Sequence, residues 1–270
     1  MSPSAVYRPH AEGPAVATLS PETMAGAWEG LLTYRFEIIS RGDFVPGCLH
    51  LPRDAAGSSP LPLLLVQHGL GQSRSAAALD FTASWVRGGL AVAAIDLPLH
   101  GERSSPKLSE RLEEGVGRVR RGEPLDAQSR ALVEEFARQS TSDLVRSLDA
   151  LLARDEIASD RVGFLGFDLG AVIGCYLLAH DPRTRAAALI GAGAGGSLPS
   201  LDPARWLARA RGVSVLVATG PHADAGSGDA AKDLFEAAPE PRRMATLSRD
   251  ARTLDAKDAD QIRAFFDASL

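Results

Sequence analysis

The chain has only two cysteines in 270 residues, Cys48 and Cys175. That excludes a disulfide scaffold, and Cys175, set in an apolar helical run, is expected to be a buried, inert thiol. Excess positive charge is also lacking: 29 basic against 34 acidic side chains leave a net charge of −5. Nucleic acids and anionic membranes call for a basic face, so neither is an expected partner. No stretch reaches the roughly 18 apolar residues of a membrane span. The opening MSPSAVYRPHAEGPAVATLS has no apolar run behind a basic start, so it does not read as a signal peptide, and a cytoplasmic location is the expectation. There are no internal repeats. No Gly-rich loop with a following lysine is present, and HGLGQS (68–73) is too short for a dinucleotide fingerprint. His68, His100 and Asp96 lack metal-ligand spacing. No cofactor and no metal are therefore expected.

What is present is apolar residue in quantity, 45% of the chain, enough to bury a sizeable core. Residues 1–28, rich in Pro, Ala and Gly, read as an N-terminal arm, with one domain over 29–270. TYRFEIIS and FVPGCLHLP flank Arg41-Gly42-Asp43 and read as a hairpin, the triplet being its turn. The pattern then switches. LPLLLVQ (61–67), LAVAAID (90–96), RVGFLGF (161–167), AAALIGA (186–192) and VSVLVATG (213–220) are apolar without alternation, as strands buried on both faces are. Helical stretches fall between them, at about 73–87, 142–154, 169–180, 203–210 and 228–238; RRMATLSR is a last strand and 256–268 a closing helix. Alternation of this kind predicts an α/β fold with a doubly wound, mostly parallel sheet. Residues 103–140 break the rhythm. They are long, charged and helical in propensity, and an insertion beyond a strand's C-terminal end lies over the usual ligand site of such sheets. A lid-like role is expected for them.

In RVGFLGFDLGAVIGC, a buried strand runs into a turn in which Gly166 and Gly170 flank Asp168, and an Ala-rich helix follows. A nucleophile elbow needs small neighbours because its central residue is strained and exposed, and Asp tolerates positive φ better than most residues. Earlier, QHGLGQS places His68-Gly69-Leu70-Gly71 at the end of another buried strand, where backbone N–H groups can face a developing oxyanion. Leu70 and Leu169 N–H are the natural pair. Together with DLPLHGER (96–103), DLVRSLDALLARDEIASDRVGFLGFDLGA (143–171) and AHDPRTRAAALI (179–190), these stretches resemble the α/β-hydrolase superfamily, and more closely its dienelactone hydrolase and small-esterase branch. The resemblance spans about residues 60–270. It implies a triad: a nucleophile at the elbow, an acid after the next-to-last strand, and a histidine after the last. Asp224 stands where the resemblance puts the acid, with Asp229 a weaker candidate. Register puts Arg252 where the histidine belongs, and no histidine follows His222.

Two triad positions are thus changed. A serine needs a base because its proton must leave as it attacks; an aspartate does not, and dehalogenases and epoxide hydrolases of the same superfamily carry one at the elbow. Those enzymes still use a histidine to activate water, which an always-protonated arginine cannot replace. Arg252 between Asp168 and Asp224 would instead form a static ion-pair network. Three readings follow: a degenerate hydrolase that binds a small molecule or partner; an active ester, epoxide or haloalkane hydrolase with Asp168 as nucleophile and a relocated base, His222 or less favourably His100; and an isomerase or lyase with Asp168 as general base. A small-molecule ligand or substrate is the expected partner, and the chain is a monomer or homodimer.

Overall fold

The computed structural model describes residues 15–55, 59–76, 79–220, 227–248 and 254–270. Nine strands form one open sheet in the order β1-β2-β3-β5-β4-β6-β7-β8-β9. The ranges are β1 Thr18–Glu22, β2 Leu32–Ser40, β3 Asp43–Leu51, β4 Leu61–Gln67, β5 Ala91–Ile95, β6 Ile157–Phe167, β7 Thr184–Ile190, β8 Ser214–Thr219 and β9 Arg242–Thr246. From β5 across to β9 all neighbours run parallel, whereas β1, β2 and β3 pair antiparallel and β3 joins β5 antiparallel. Arg41 (φ 53°) and Gly42 (φ 81°) both take positive φ in the β2–β3 turn, the conformation that a two-residue hairpin of matching twist demands.

The helices are α1 Thr82–Arg87, α2 Pro106–Arg120, α3 Ala127–Leu152, α4 Leu169–His180, α5 Pro203–Leu207, α6 Ser227–Ala237 and α7 Ala256–Asp267. Buried side chains gather on both faces of the sheet. One cluster, with Phe36, Leu65, Phe164 and Leu189, packs beneath α2–α6. The other, with Leu64, Leu165, Trp85 and Phe266, packs beneath α1 and α7. Both cysteines are buried, and desolvation pushes the Cys48 thiol up to about 12 and raises that of Cys175.

Three expectations need correction. The stretch read as an N-terminal arm carries a strand, since β1 pairs residue for residue with β2. The helix expected over 73–87 begins only at Thr82. The helix expected over 142–154 begins at Ala127, because Asp126 caps it there: its carboxylate accepts from Gln128 N and Ser129 N, both at 2.9 Å. With no Gly or Pro from 127 to 152, nothing interrupts it. The segment 103–140 is therefore α2 followed by the first half of α3. Among the described residues no helix is long and apolar enough to cross a membrane.

Candidate functional site

β4 and β6 are central, adjacent and parallel, with Gln67 opposite Gly166. They deliver their following turns to the same sheet edge. At the end of β6 the chain reverses so sharply into α4 that Asp168 takes φ 52°, ψ −113°. A non-glycine residue in such a region costs about 1–3 kcal/mol and persists only where its surroundings enforce it. Here they do. Asp168 N–H donates to Ile190 O at 2.7 Å. A Cβ on Gly166 would lie 2.7 Å from the Ala171 backbone, and one on Gly170 would lie 2.5 Å from His68 O. Only glycines let α4 close on the ends of β4 and β6 in this way.

The turn after β4 meets Asp168 directly. A Cβ on Gly69 would stand 3.2 Å from that of Asp168. Leu70 N–H, one of the two expected oxyanion donors, donates to Asp168 Oδ2 at 3.2 Å. The other carboxylate oxygen is also engaged: Arg120 Nη2 lies 2.7 Å from Asp168 Oδ1, with the two side chains 40% and 17% exposed. Arg120 is the last residue of α2. That end of the helix is tied down, because Ser197 N–H donates to Val119 O at 3.1 Å, and Gly196 (φ +105°) leaves room for Val119. On the same helix, Glu113 Oε1 would lie 3.4 Å from a Cβ on Gly71. Glu113 and Arg120 are seven residues apart, two turns along one helix face. α2 thus crosses the turn after β4 at its middle and the turn after β6 at its C-terminal end.

The histidines near this edge differ in role. His68 Nδ1 bonds Gly69 O at 2.9 Å and its Nε2 accepts from Leu97 N–H at 3.2 Å. Both nitrogens are spent on backbone, and burial lowers its pKa to about 4. His100, its ring centroid 5.2 Å from that of His68, has Nδ1 2.8 Å from Pro98 O. Its Nε2 is buried with no hydrogen-bond partner, desolvation lowers its pKa, and the charges of Glu113 and Asp96 act on it. Asp96 itself is fully engaged, taking Arg74 N–H at 2.8 Å, the Arg74 guanidinium, and Glu102 N–H at 3.0 Å. His50, stacked on Trp28 and bonded to Thr33 Oγ1, and His180, beside Trp206, are packing residues.

Asp224, His222 and Arg252 fall outside the described residues. Asp229 is exposed in the first turn of α6. Among the described residues no three His, Cys, Asp or Glu side chains gather as a metal would require. The pairing expected of Arg252 falls outside the described residues; among them the arginine paired with Asp168 is Arg120. Its signal was there to be read: Glu113, Val116 and Arg120 fall on one helical face within the insertion expected to cover the site.

No family model matches the chain, and no curated protein matches it in sequence. Solved structures do match. The acetyl xylan esterase of a Paenibacillus species superposes with a TM-score of 0.74 at 15% identity, over 96% of this chain and 90% of that one. The dienelactone hydrolase of Anabaena variabilis gives 0.67 at 18%, over 90% of this chain and 100% of that one. A cold-adapted esterase from an Arctic intertidal metagenomic library gives 0.66 at 19%, over 91% and 97%. At these identities the likeness is one of fold.

Proposed function

Starting from the α/β-hydrolase fold that this chain has, we propose that it is a degenerate hydrolase that binds a small molecule at the Asp168 turn and does not hydrolyse esters by serine-type chemistry. One observation carries the reading: both oxygens of the carboxylate standing in the nucleophile's place are engaged, one by Arg120 and the other by Leu70 N–H. An oxyanion hole works by presenting empty donors to the charge that forms in the transition state. Here a resident carboxylate already takes one of those donors, and its negative charge opposes a second anion beside it. For attack on an alkyl carbon, Asp168 would have to leave the guanidinium, and hydrolysis of the resulting ester would still need a base. His68 has no free nitrogen to serve as one, and His100, whose Nε2 is free, is buried.

The test is hydrolysis of p-nitrophenyl acetate and short haloalkanes by the wild-type chain and by Asp168→Asn, with mass spectrometry of the protein after incubation. The expected result is no release above background in either and no mass added to the peptide containing Asp168. An ester trapped on Asp168, or turnover abolished by Asp168→Asn, overturns the proposal in favour of a working hydrolase with a relocated base such as His222 or His100.

A further inference from the structure

Three polar side chains at this sheet edge and on the facing stretch of α2 are acceptors. Asp168 offers a carboxylate. His100 Nδ1 faces the carbonyl of Pro98 at 2.8 Å; a carbonyl only accepts, so Nδ1 carries the proton and Nε2 presents a bare lone pair. That Nε2 belongs to a side chain 4% exposed and has no donor, an uncommon state for a buried polar atom. Glu113, the third acceptor, stands on α2 above Gly71, and its charge reaches His100. Acceptors from the sheet edge and from α2 call for a ligand that brings donors and positive charge. The chain supplies one such group itself, the guanidinium of Arg120 on Asp168. It arrives from the covering helix and not from the sheet, and its side chain is 40% exposed. Half-solvated pairs of this kind hold weakly.

We infer that Asp168 is the anchor for a guanidinium or primary ammonium group of a small ligand, and that Arg120 is a built-in stand-in which this group displaces. The inference rests on the reading that Asp168 binds and does not attack. Planar guanidinium suits the geometry, because it can meet a carboxylate through two parallel N–H donors. Displacing Arg120 removes its tie between the end of α2 and the elbow, while Ser197 N–H on Val119 O still holds that end to the loop after β7.

The experiment is an NMR titration of the full chain with butylguanidinium, with butylurea (the same shape without the charge) and butanoate (the opposite charge) as comparisons. Butylguanidinium is expected to bind more tightly than both. Arg120→Gln keeps the covering stem and removes the competitor, so it should tighten butylguanidinium by about fivefold. Asp168→Asn, which tolerates the same backbone conformation, should weaken it by more than about tenfold. Tighter binding of butanoate, or unchanged butylguanidinium affinity in Arg120→Gln, overturns the inference. Neither outcome touches the proposal that the chain lacks hydrolytic turnover, which the esterase and haloalkane assays decide alone.

Discussion

Asp168 answers to two constraints at once, a backbone held at positive φ and a carboxylate shared between a main-chain donor and an arginine. The first was legible in the sequence, because two flanking glycines after an apolar run have few other uses. The second was legible only in part: the insertion expected to cover the site carries Arg120, but that residue lies 48 positions away and no local pattern dictates which residue of the helix meets Asp168. The glycines give a sharp prediction. A methyl group on Gly170 would meet the carbonyl oxygens of His68 and Gln67 at 2.5 and 2.6 Å, and backbone cannot step aside. Gly170→Ala is expected to cost about 1–3 kcal/mol. Thermal unfolding should register this as a fall of roughly 2–4 °C per kcal/mol.

The buried histidines add a pH dependence at this same scale. Burial holds His50 and His68 at about 4, and an unfolded chain titrates them near 6.5. In that window the unfolded state binds more protons, so stability is intact above pH 6.5 and is lost as pH falls towards 4. His100 and His180, also lowered by burial, act the same way. Asp143, raised to about 6 by desolvation, opposes them with one proton. The net slope should be at least ~1.4 kcal/mol per pH unit near pH 5. Urea midpoints at pH 7, 6 and 5 check it, and His50→Gln should flatten the curve.

At the scale of elements, the central strands were legible because burial on both faces leaves no polar alternation to confuse. β1 was not: TLSPE is mostly exposed and contains a proline, and it is a strand only because β2 offers it an edge. The insertion was read as helical and covering, yet its division between α2 and α3 depends on Asp126. Asp126→Ala removes acceptors for Gln128 N, Ser129 N and Ser129 Oγ. Loss of such a cap costs ~1 kcal/mol, which differential scanning calorimetry should show as a Tm lower by about 3 °C. The C-terminal end of α2 rests on the loop after β7. Gly196→Ala would strain a residue at φ +105° and place its Cβ 3.0 Å from Val119. Hydrogen exchange should then quicken over residues 113–121 while β4 and β6 keep their protection. Unchanged exchange there would mean that Arg120 alone holds the helix end down.

Across the whole molecule, one arginine ties the antiparallel flank to the covering insertion. Arg103, at the base of that insertion, donates through Nη1 to Asp143 Oδ2 on α3 at 2.7 Å and to Asp96 O beyond β5 at 3.1 Å. Its Nη2 reaches Asp43 Oδ2, at the start of β3, also at 2.7 Å. Asp143 is fully buried and also accepts from Gln139 Nε2 at 2.8 Å. Removing one partner of such a pair strands a buried charge and costs about 3–5 kcal/mol. Arg103→Met should therefore be among the most damaging single changes in the chain. Its damage should depend on pH in a particular direction. Without the guanidinium, the Asp143 carboxyl is held still further above its unfolded value by desolvation. The variant is then relatively better at pH 5, where the acid is neutral, and loses stability as pH rises to 7.5. Arg103→Met with Asp143→Leu removes both charges and should recover much of the loss. Urea unfolding of the two variants and the wild type at both pH values measures each term. A loss in Arg103→Met that is equal at pH 5 and 7.5, and unrelieved in the double variant, would mean that Arg103 acts through packing and not through its charge.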